Sequence, residues 1–188
     1  MTTIVGIAGS LRRGSFNAAL LRAATELAPD GVSIETVSIA GVPLYNADVE
    51  EAEGVPAEVE TIKARIRAAD GLLLVSPEYN NSIPGVLKNA VDWLSRPPAD
   101  VPSVFGGRPV GVIGASPGGF GTVLAQNAWL PVLRTLRTRP YFGGRVMVSR
   151  AGRVFDDEGG LTDSQVRDQL RQYVEGFAAF VESGGPDS

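Results

Sequence analysis

The stretch "TTIVGIAGSLRRGSFNAALL", residues 2–21, joins an apolar run to a polar turn and then to a helical pattern. The apolar run has its core at residues 3–8 and is typical of a strand that is buried on both faces. The turn from Gly9 to Asn17 collects glycine, hydroxyl, arginine and amide groups. This order predicts a strand, a turn and a helix, with the turn at the carboxyl end of a parallel strand.

The same alternation continues along the chain. Apolar runs predict strands at 3–8, 32–39, 71–77, 108–116 and 144–149, and helical patterns cover 17–28, 56–69, 84–95, 120–137 and 161–182. Strict alternation indicates a parallel sheet with helices on both faces. Five strands suit an α/β doubly wound sheet of flavodoxin-like order 2-1-3-4-5. We expect one domain over residues 1–183, a long functional or mobile loop at 40–56, and a disordered tail at 184–188.

Composition limits the classes of protein that fit. The chain has 188 residues, of which 44% are hydrophobic and 20% charged, which is typical of one soluble globular domain. No apolar run approaches the roughly 20 residues that span a bilayer, and no basic segment precedes the first apolar run. The net charge of -4 argues against a general nucleic-acid binder. We therefore expect a cytoplasmic protein without membrane or nucleic-acid partners.

Two residue types are missing. The sequence contains no cysteine and no histidine. Their absence excludes disulfides, thiolate nucleophiles, Ser-His-Asp hydrolysis and any zinc site built on imidazole. Chemistry is left to carboxylates, lysine, tyrosine or a bound cofactor, and a cofactor is favoured. We predict no metal site and no catalytic side chain.

Three polar loops, two of them rich in glycine, follow predicted strands and meet at one edge of the sheet: Gly9–Asn17, Pro77–Ile83 and Ser116–Gly121. Ligands of doubly wound sheets bind beyond the carboxyl ends of the strands, at the switch point. The three loops therefore predict a ligand site at that edge.

The first loop suits an anion. A helix that begins near Asn17 has unpaired N–H groups and a partial positive charge at its N-terminus. Ser10, Ser15 and Asn17 can donate hydrogen bonds, and Arg12 can offset charge. The loop matches neither the P-loop pattern nor GxGxxG, and it fits a terminal phosphate monoester better than a pyrophosphate. Alternatively, Ser15 merely caps the helix.

The other two loops each allow a functional and a structural interpretation. Tyr79 and Asn80 could border a ligand or form a plain turn, and the glycines at 118, 119 and 121 could admit a flat ligand or form a flexible turn. Lys88 and Asp92 lie one helical turn apart and fit a surface ion pair. Trp93 and Trp129 fit packing in the core or between subunits.

Taken together, the loops resemble the NADPH-dependent FMN reductase family, the flavodoxin-like group that contains chromate, quinone and azo-dye reductases. The matching stretches are "GSLRRGSFN" (9–17), "SPEYNNSIPGVLKNAVDWLSRP" (76–97) and "GASPGGFGTVLAQNAWLPVLRTL" (114–136). Their order and spacing agree over residues 3–150, and only the C-terminal helix is generic.

The resemblance implies noncovalent FMN, with its phosphate in the first loop and NAD(P)H as co-substrate. The implied cofactor-binding residues are Ser10, Leu11, Arg12, Ser15, Phe16, Asn17, Pro77, Glu78, Tyr79, Asn80, Ser116 and Gly119. The backbone N–H groups of Tyr79 and Asn80 could stabilise negative charge near the flavin N1 and O2 atoms. The resemblance also implies a homodimer or homotetramer, with the helix from Pro84 and its Trp93 at the interface.

The expected activity is transfer of electrons from NAD(P)H through FMN to a quinone, flavin, azo compound or metal oxyanion such as chromate. Two alternatives remain open, a flavodoxin-type electron carrier and a non-catalytic FMN-binding protein. A receiver domain of the same topology is rejected, because the first strand ends in Ala8-Gly9-Ser10 and not in clustered carboxylates.

Overall fold

The computed structural model describes residues 1–184, and it is built around a parallel sheet of spatial order β2-β1-β3-β4-β5 with a sixth strand, β6, also paired to β4. The strands are β1 (Thr2–Ala8), β2 (Val32–Val37), β3 (Gly71–Val75), β4 (Pro109–Ala115), β5 (Arg139–Pro140) and β6 (Met147–Val148). The predicted flavodoxin-like topology is confirmed. β3 is buried along its whole length, as its apolar sequence predicts.

Helices cover both faces of the sheet and divide the core in two. They are α1 (Phe16–Glu26), α2 (Ala47–Glu53), α3 (Ala57–Ala68), α4 (Gly85–Leu94), α5 (Val101–Val104), α6 (Val123–Thr135) and α7 (Ser164–Glu182), with short 3₁₀ turns at Pro98–Asp100 and Ala151–Arg153. One core packs α1 and α7 on the sheet, and the other packs α3, α4 and α6 on the opposite face. Trp93 and Trp129 are both fully buried in the second core.

The outer edge of the sheet differs from the prediction. The predicted fifth strand at 144–149 is reduced to the two residues of β6, which pair with Gly114 and Ala115 of β4. β5 pairs instead with Pro109 and Val110, at the other end of β4. A loop of residues 141–146 separates the two short strands. Pro140, which has no N–H, and glycines at 143 and 144 interrupt a continuous strand here.

The segment 40–56, predicted as a loop, contains α2. None of the seven residues of α2 is buried, so no apolar periodicity marked it in the sequence. Contacts with α4 and with Arg96, which follows the end of α4, hold the segment. Asn89 of α4 accepts a hydrogen bond from the Tyr45 N–H at 2.8 Å, and Arg96 donates from Nε to Glu50 at 2.8 Å.

Two further observations concern the C-terminal tail and the hydropathy of the helices. The tail predicted at 184–188 lies, apart from Gly184, outside the described residues. Across residues 1–184, every helix is too short or too polar to span a bilayer.

Candidate functional site

The three predicted loops meet at the carboxyl edge of the sheet around a cavity of about 270 Å³. Nine of the twelve predicted site residues line it: Ser10, Arg12, Ser15, Phe16, Asn17, Pro77, Glu78, Tyr79 and Ser116. The other three, Leu11, Asn80 and Gly119, lie on the same loops outside the lining. Ala115 and Pro117 also line the cavity. Neither residue was predicted, although both flank Ser116 in the sequence.

The first loop ends in a capped helix. Ser15 has extended backbone (φ -72°, ψ 118°) and is the N-cap of α1, and its Oγ accepts a hydrogen bond from the Ala18 N–H at 3.2 Å. The N–H groups of Phe16 and Asn17 precede the first possible intrahelical bond. No acidic residue lies in the first turn. The capping interpretation of Ser15 is therefore correct, yet two amide groups of this N-terminus still lack an intrahelical acceptor.

Arg12 lies over an aromatic ring beside the cavity. Its guanidinium carbon is 4.9 Å from the centre of the Phe16 ring, which stacks on Phe155 at 5.9 Å. Within residues 1–184, no carboxylate forms an ion pair with Arg12. The charge of Arg12 is thus placed next to the open N-terminus of α1.

Asn17 makes a structural contact that was not predicted. Its Nδ2 donates to the Ala115 carbonyl at 2.8 Å, and its Oδ1 accepts from the Ala115 N–H at 2.9 Å. Asn17 is 3% exposed. Because one N–H and the oxygen of its amide are engaged, the side chain joins α1 to the end of β4. Its second amide N–H and its backbone N–H have no such partner within residues 1–184, so a phosphate contact by Asn17 stays a prediction.

The second loop contains a tight turn. Tyr79 and Ser82 exchange backbone hydrogen bonds of 3.1 and 3.2 Å across Asn80 and Asn81, which have φ values of 50° and 60°. Asparagine tolerates this left-handed conformation better than most residues. The turn occupies the Tyr79 N–H, so this group cannot stabilise a flavin oxygen as predicted.

The turn also orients two side chains toward the neighbouring loops. The Tyr79 hydroxyl donates to Ser10 Oγ at 3.3 Å, which connects the second loop to the first. Glu78 Oε2 accepts from the N–H groups of Leu124 and Ala125 at 2.9 and 3.0 Å, which connects the second loop to α6. Together with the Asn17 contact, these bonds hold the three loops to one another.

Buried contacts beneath the cavity support the second and third loops. Trp129 Nε1 donates to Ser76 Oγ at 2.9 Å, directly before Pro77. A Cβ on Gly114 would lie 2.1 Å from the Ser76 carbonyl oxygen, so only glycine fits there. Trp129 therefore packs in the core, which is one of the two roles predicted for it.

The third loop is a turn held from behind. The Gly118 N–H donates to Ser116 Oγ at 3.2 Å, and the Gly118 carbonyl accepts from the Arg150 N–H at 2.9 Å. Gly121 has φ of 65° and lies against the Met147 carbonyl. These contacts fix the base of the loop, whereas a Cβ on Gly119 would meet open space.

Lys88 and Asp92 form the predicted surface ion pair. Their charged atoms are 2.7 Å apart, and the side chains are 39% and 45% exposed. Exposed pairs of this kind contribute little to stability. They do not line the cavity.

The fold and the cavity define a class of protein. A doubly wound parallel sheet of order β2-β1-β3-β4-β5, with a cavity between the loops at its carboxyl edge, defines a flavodoxin-like protein. The family described as NADPH-dependent FMN reductase matches residues 2–153. The chain belongs to this family and is an FMN-dependent oxidoreductase that uses NAD(P)H as co-substrate.

Similar proteins agree with this family. The chain is 46% identical over 178 residues to an NAD(P)H-dependent FMN reductase of Pseudomonas aeruginosa, a match that covers 95% of this chain and 94% of the relative. It is 39% identical over 184 residues to a quinone reductase of Escherichia coli K12, with 95% of each chain covered.

Among solved structures, FerB from Paracoccus denitrificans, a flavoenzyme NAD(P)H:(acceptor) oxidoreductase, superposes with a TM-score of 0.87 at 31% identity. The match covers 99% of this chain and all of FerB.

Proposed function

We propose that the cavity between the three loops holds FMN with its phosphate at the N-terminus of α1. One observation carries this proposal: the first turn of α1 leaves two N–H groups without intrahelical acceptors, beside an Arg12 that forms no ion pair within residues 1–184. A phosphate monoester carries about -1.5 to -2 charges near neutral pH. Ser10 and Ser15 add hydroxyl donors, and no carboxylate in the first loop opposes the charge.

The isoalloxazine ring is proposed to lie between the second and third loops. Pro77, Glu78, Tyr79 and Asn80 border it on one side, and Ser116 and Gly119 approach it on the other. FMN held there would supply the hydride and electron-transfer chemistry between NAD(P)H and the acceptor. The side chains of the site orient and hold the cofactor, and no side chain has to act as acid or base.

We infer that a quinone is the acceptor. The relative from E. coli is named a quinone reductase. A 2-hydroxy-1,4-benzoquinone reductase from a Burkholderia species is 40% identical to this chain over 184 residues. The crevice is open to an acceptor at Tyr79 of the second loop, which is 46% exposed.

Steady-state kinetics test the activity and the acceptor together. We expect turnover with NADPH or NADH and a benzoquinone, and parallel double-reciprocal lines because both substrates use one crevice in turn. Free flavin, an azo dye and chromate serve as comparison acceptors. Absence of turnover with every acceptor, in a protein that binds FMN, would favour the carrier alternative. Intersecting lines would contradict the shared crevice.

We also propose that the protein forms a homodimer or homotetramer. The hydrophobic side chains Val123, Leu130 and Phe142 are 42%, 39% and 72% exposed and line a second cavity, of about 430 Å³, beside the gap between β5 and β6. Trp93 does not contribute to an interface, since it is buried in its own subunit and donates to the Pro43 carbonyl.

Light scattering after size exclusion measures the oligomeric state. We expect Phe142→Ser to shift the assembly toward smaller species, whereas a monomeric wild-type protein would contradict the proposal. Because reduced nicotinamide nucleotides are intracellular substrates, we further propose a cytoplasmic location.

A further inference from the structure

Helix α6 lacks a cap from its own sequence. Thr122 stands at its N-cap position with φ of -125° and ψ of 32°, and its side chain makes no capping hydrogen bond. The Thr122 hydroxyl instead accepts from Gln126 Nε2 at 3.0 Å. The first N–H groups of α6 must therefore find an acceptor elsewhere.

Glu78 supplies that acceptor from the second loop. Its Oε2 receives the N–H groups of Leu124 and Ala125, the second and third residues of α6, at 2.9 and 3.0 Å. Negative charge at this position also interacts favourably with the helix dipole. A single carboxylate oxygen thus replaces the missing cap across 46 residues of sequence.

This contact bridges two loops that the proposed flavin site needs at a fixed separation. Glu78 follows Pro77 directly, and α6 begins two residues after Gly121, the end of the third loop. On its other side, the second loop contacts the first through Tyr79 and Ser10. The Glu78 side chain therefore ties the second loop to the start of α6, beside the end of the third loop.

We propose that Glu78 is a positioning residue that sets the width of the crevice for the flavin ring. This inference rests on the proposed placement of FMN. Glu78 acts through the backbone of α6 and not through its charge on the flavin or through proton transfer, because its Oε2 already accepts two N–H groups at the positive end of a helix. Reach and acceptor capacity are the properties of Glu78 that matter.

Three substitutions separate reach from charge. Glu78→Gln keeps the length and one acceptor oxygen but loses the charge. Glu78→Asp keeps the charge but is one methylene shorter, and Glu78→Ala removes both properties. Glu175→Gln, an exposed position in the middle of α7, controls for loss of a carboxylate. The measurements are the FMN dissociation constant by fluorescence quenching, the visible circular dichroism of bound flavin, and the melting temperature.

We expect Glu78→Ala and Glu78→Asp to weaken FMN binding about tenfold, because neither side chain reaches the Leu124 and Ala125 N–H groups. Their flavin dichroism should change, whereas Glu78→Gln stays within about threefold of wild type with the wild-type spectrum. Glu175→Gln should behave as wild type.

Two results would overturn the proposal. In one, all three variants lower only the melting temperature and leave FMN affinity and the spectrum unchanged, as a simple helix cap would. In the other, Glu78→Asp binds normally and Glu78→Gln does not, which would assign the effect to charge. Failure of the FMN placement is recognised separately, by an Arg12→Ala variant that retains full FMN affinity.

Discussion

Helices α1 and α6 both begin at the carboxyl edge of the sheet, but their first N–H groups have different partners. At α1 the cap is the neutral hydroxyl of Ser15, which engages only Ala18. At α6 the cap is the carboxylate of Glu78, which engages Leu124 and Ala125.

A helix N-terminus carries roughly half a positive charge. At α6 the chain offsets that charge with its own carboxylate, and at α1 it leaves the charge available. The difference explains why, of these two helices, α1 is the one suited to receive a phosphate. An anionic group approaching α6 would meet Glu78 first.

Replacing the neutral cap of α1 by a charged one should remove the difference between the two helices. We expect this change to have the largest effect on FMN affinity. Ser15→Asp places a carboxylate beside the proposed phosphate position, and a like-charge pair at about 4 Å costs roughly 4 kcal/mol at an effective dielectric near 20. We expect FMN affinity to fall about a thousandfold. Aspartate caps helices as well as serine, so circular dichroism melts of the apoprotein should show an intact fold.

Asn46→Asp is the matched control, because it adds one charge at the N-cap of α2, away from the site. Normal FMN titration of the Ser15→Asp apoprotein would refute the phosphate assignment at α1.

Asn17 tests whether its side chain belongs to the anion site or to the framework. Asn17→Ala leaves the buried N–H and carbonyl of Ala115 without partners, at about 1–3 kcal/mol each. We expect the free energy of unfolding of the apoprotein to fall by about 3 kcal/mol in urea denaturation. Unchanged stability combined with lost FMN binding would show that the amide is a ligand and not a clamp.

Arg12 should matter less than the cap. Arg12→Ala removes a charge-assisted hydrogen bond of roughly 1.5–3 kcal/mol, so we expect FMN to bind about tenfold to a hundredfold more weakly. Arg13→Ala, one residue along the loop and outside the cavity lining, is the control and should stay near wild type. Equal losses in the two variants would mean that general charge near α1, and not Arg12, attracts the anion.

The topology and the meeting of the three loops around a cavity were predictable from the sequence, because both follow from local patterns. The buried run of β3 and each glycine-rich loop can be recognised from a few consecutive residues. The sheet order then follows from general rules of connection.

The features that the sequence did not reveal depend on contacts between distant residues. Asn17 was predicted to donate to a phosphate, but its amide is engaged by Ala115, 98 residues away. Glu78 was predicted to border the ring, and its bond to α6 has no local signature. α2 has no buried residue, so its stability comes from partners such as Arg96.

The smallest expected effect concerns the pH dependence of stability. It tests whether the ion pair between Glu50 of α2 and Arg96 is independent of the α1 cap. The pKa of the Glu50 carboxyl in α2 is held below its ordinary value, chiefly by the hydrogen bond from Arg96 and also by that from the Tyr45 hydroxyl. A carboxyl whose pKa is lowered on folding stabilises the folded state above its unfolded pKa, and this stabilisation is lost as the pH falls through the folded value.

Glu50→Gln removes that contribution, so the melting temperature of the apoprotein should fall less steeply from about pH 7 to about pH 3 than in the wild type, since carboxyls titrate near pH 4. Glu53→Gln, an exposed carboxyl at the end of the same helix, should keep the wild-type slope. FMN affinity at neutral pH should be unchanged in both variants, because the cap of α1 is a hydroxyl and Glu50 lies outside the cavity. If the melting temperature of Glu50→Gln depends on pH as in the wild type, the ion pair does not contribute to the loss of stability in acid. Loss of FMN in that variant would mean that the charged anchor at α2 and the neutral cap at α1 are coupled, contrary to the separation that the structure shows between them.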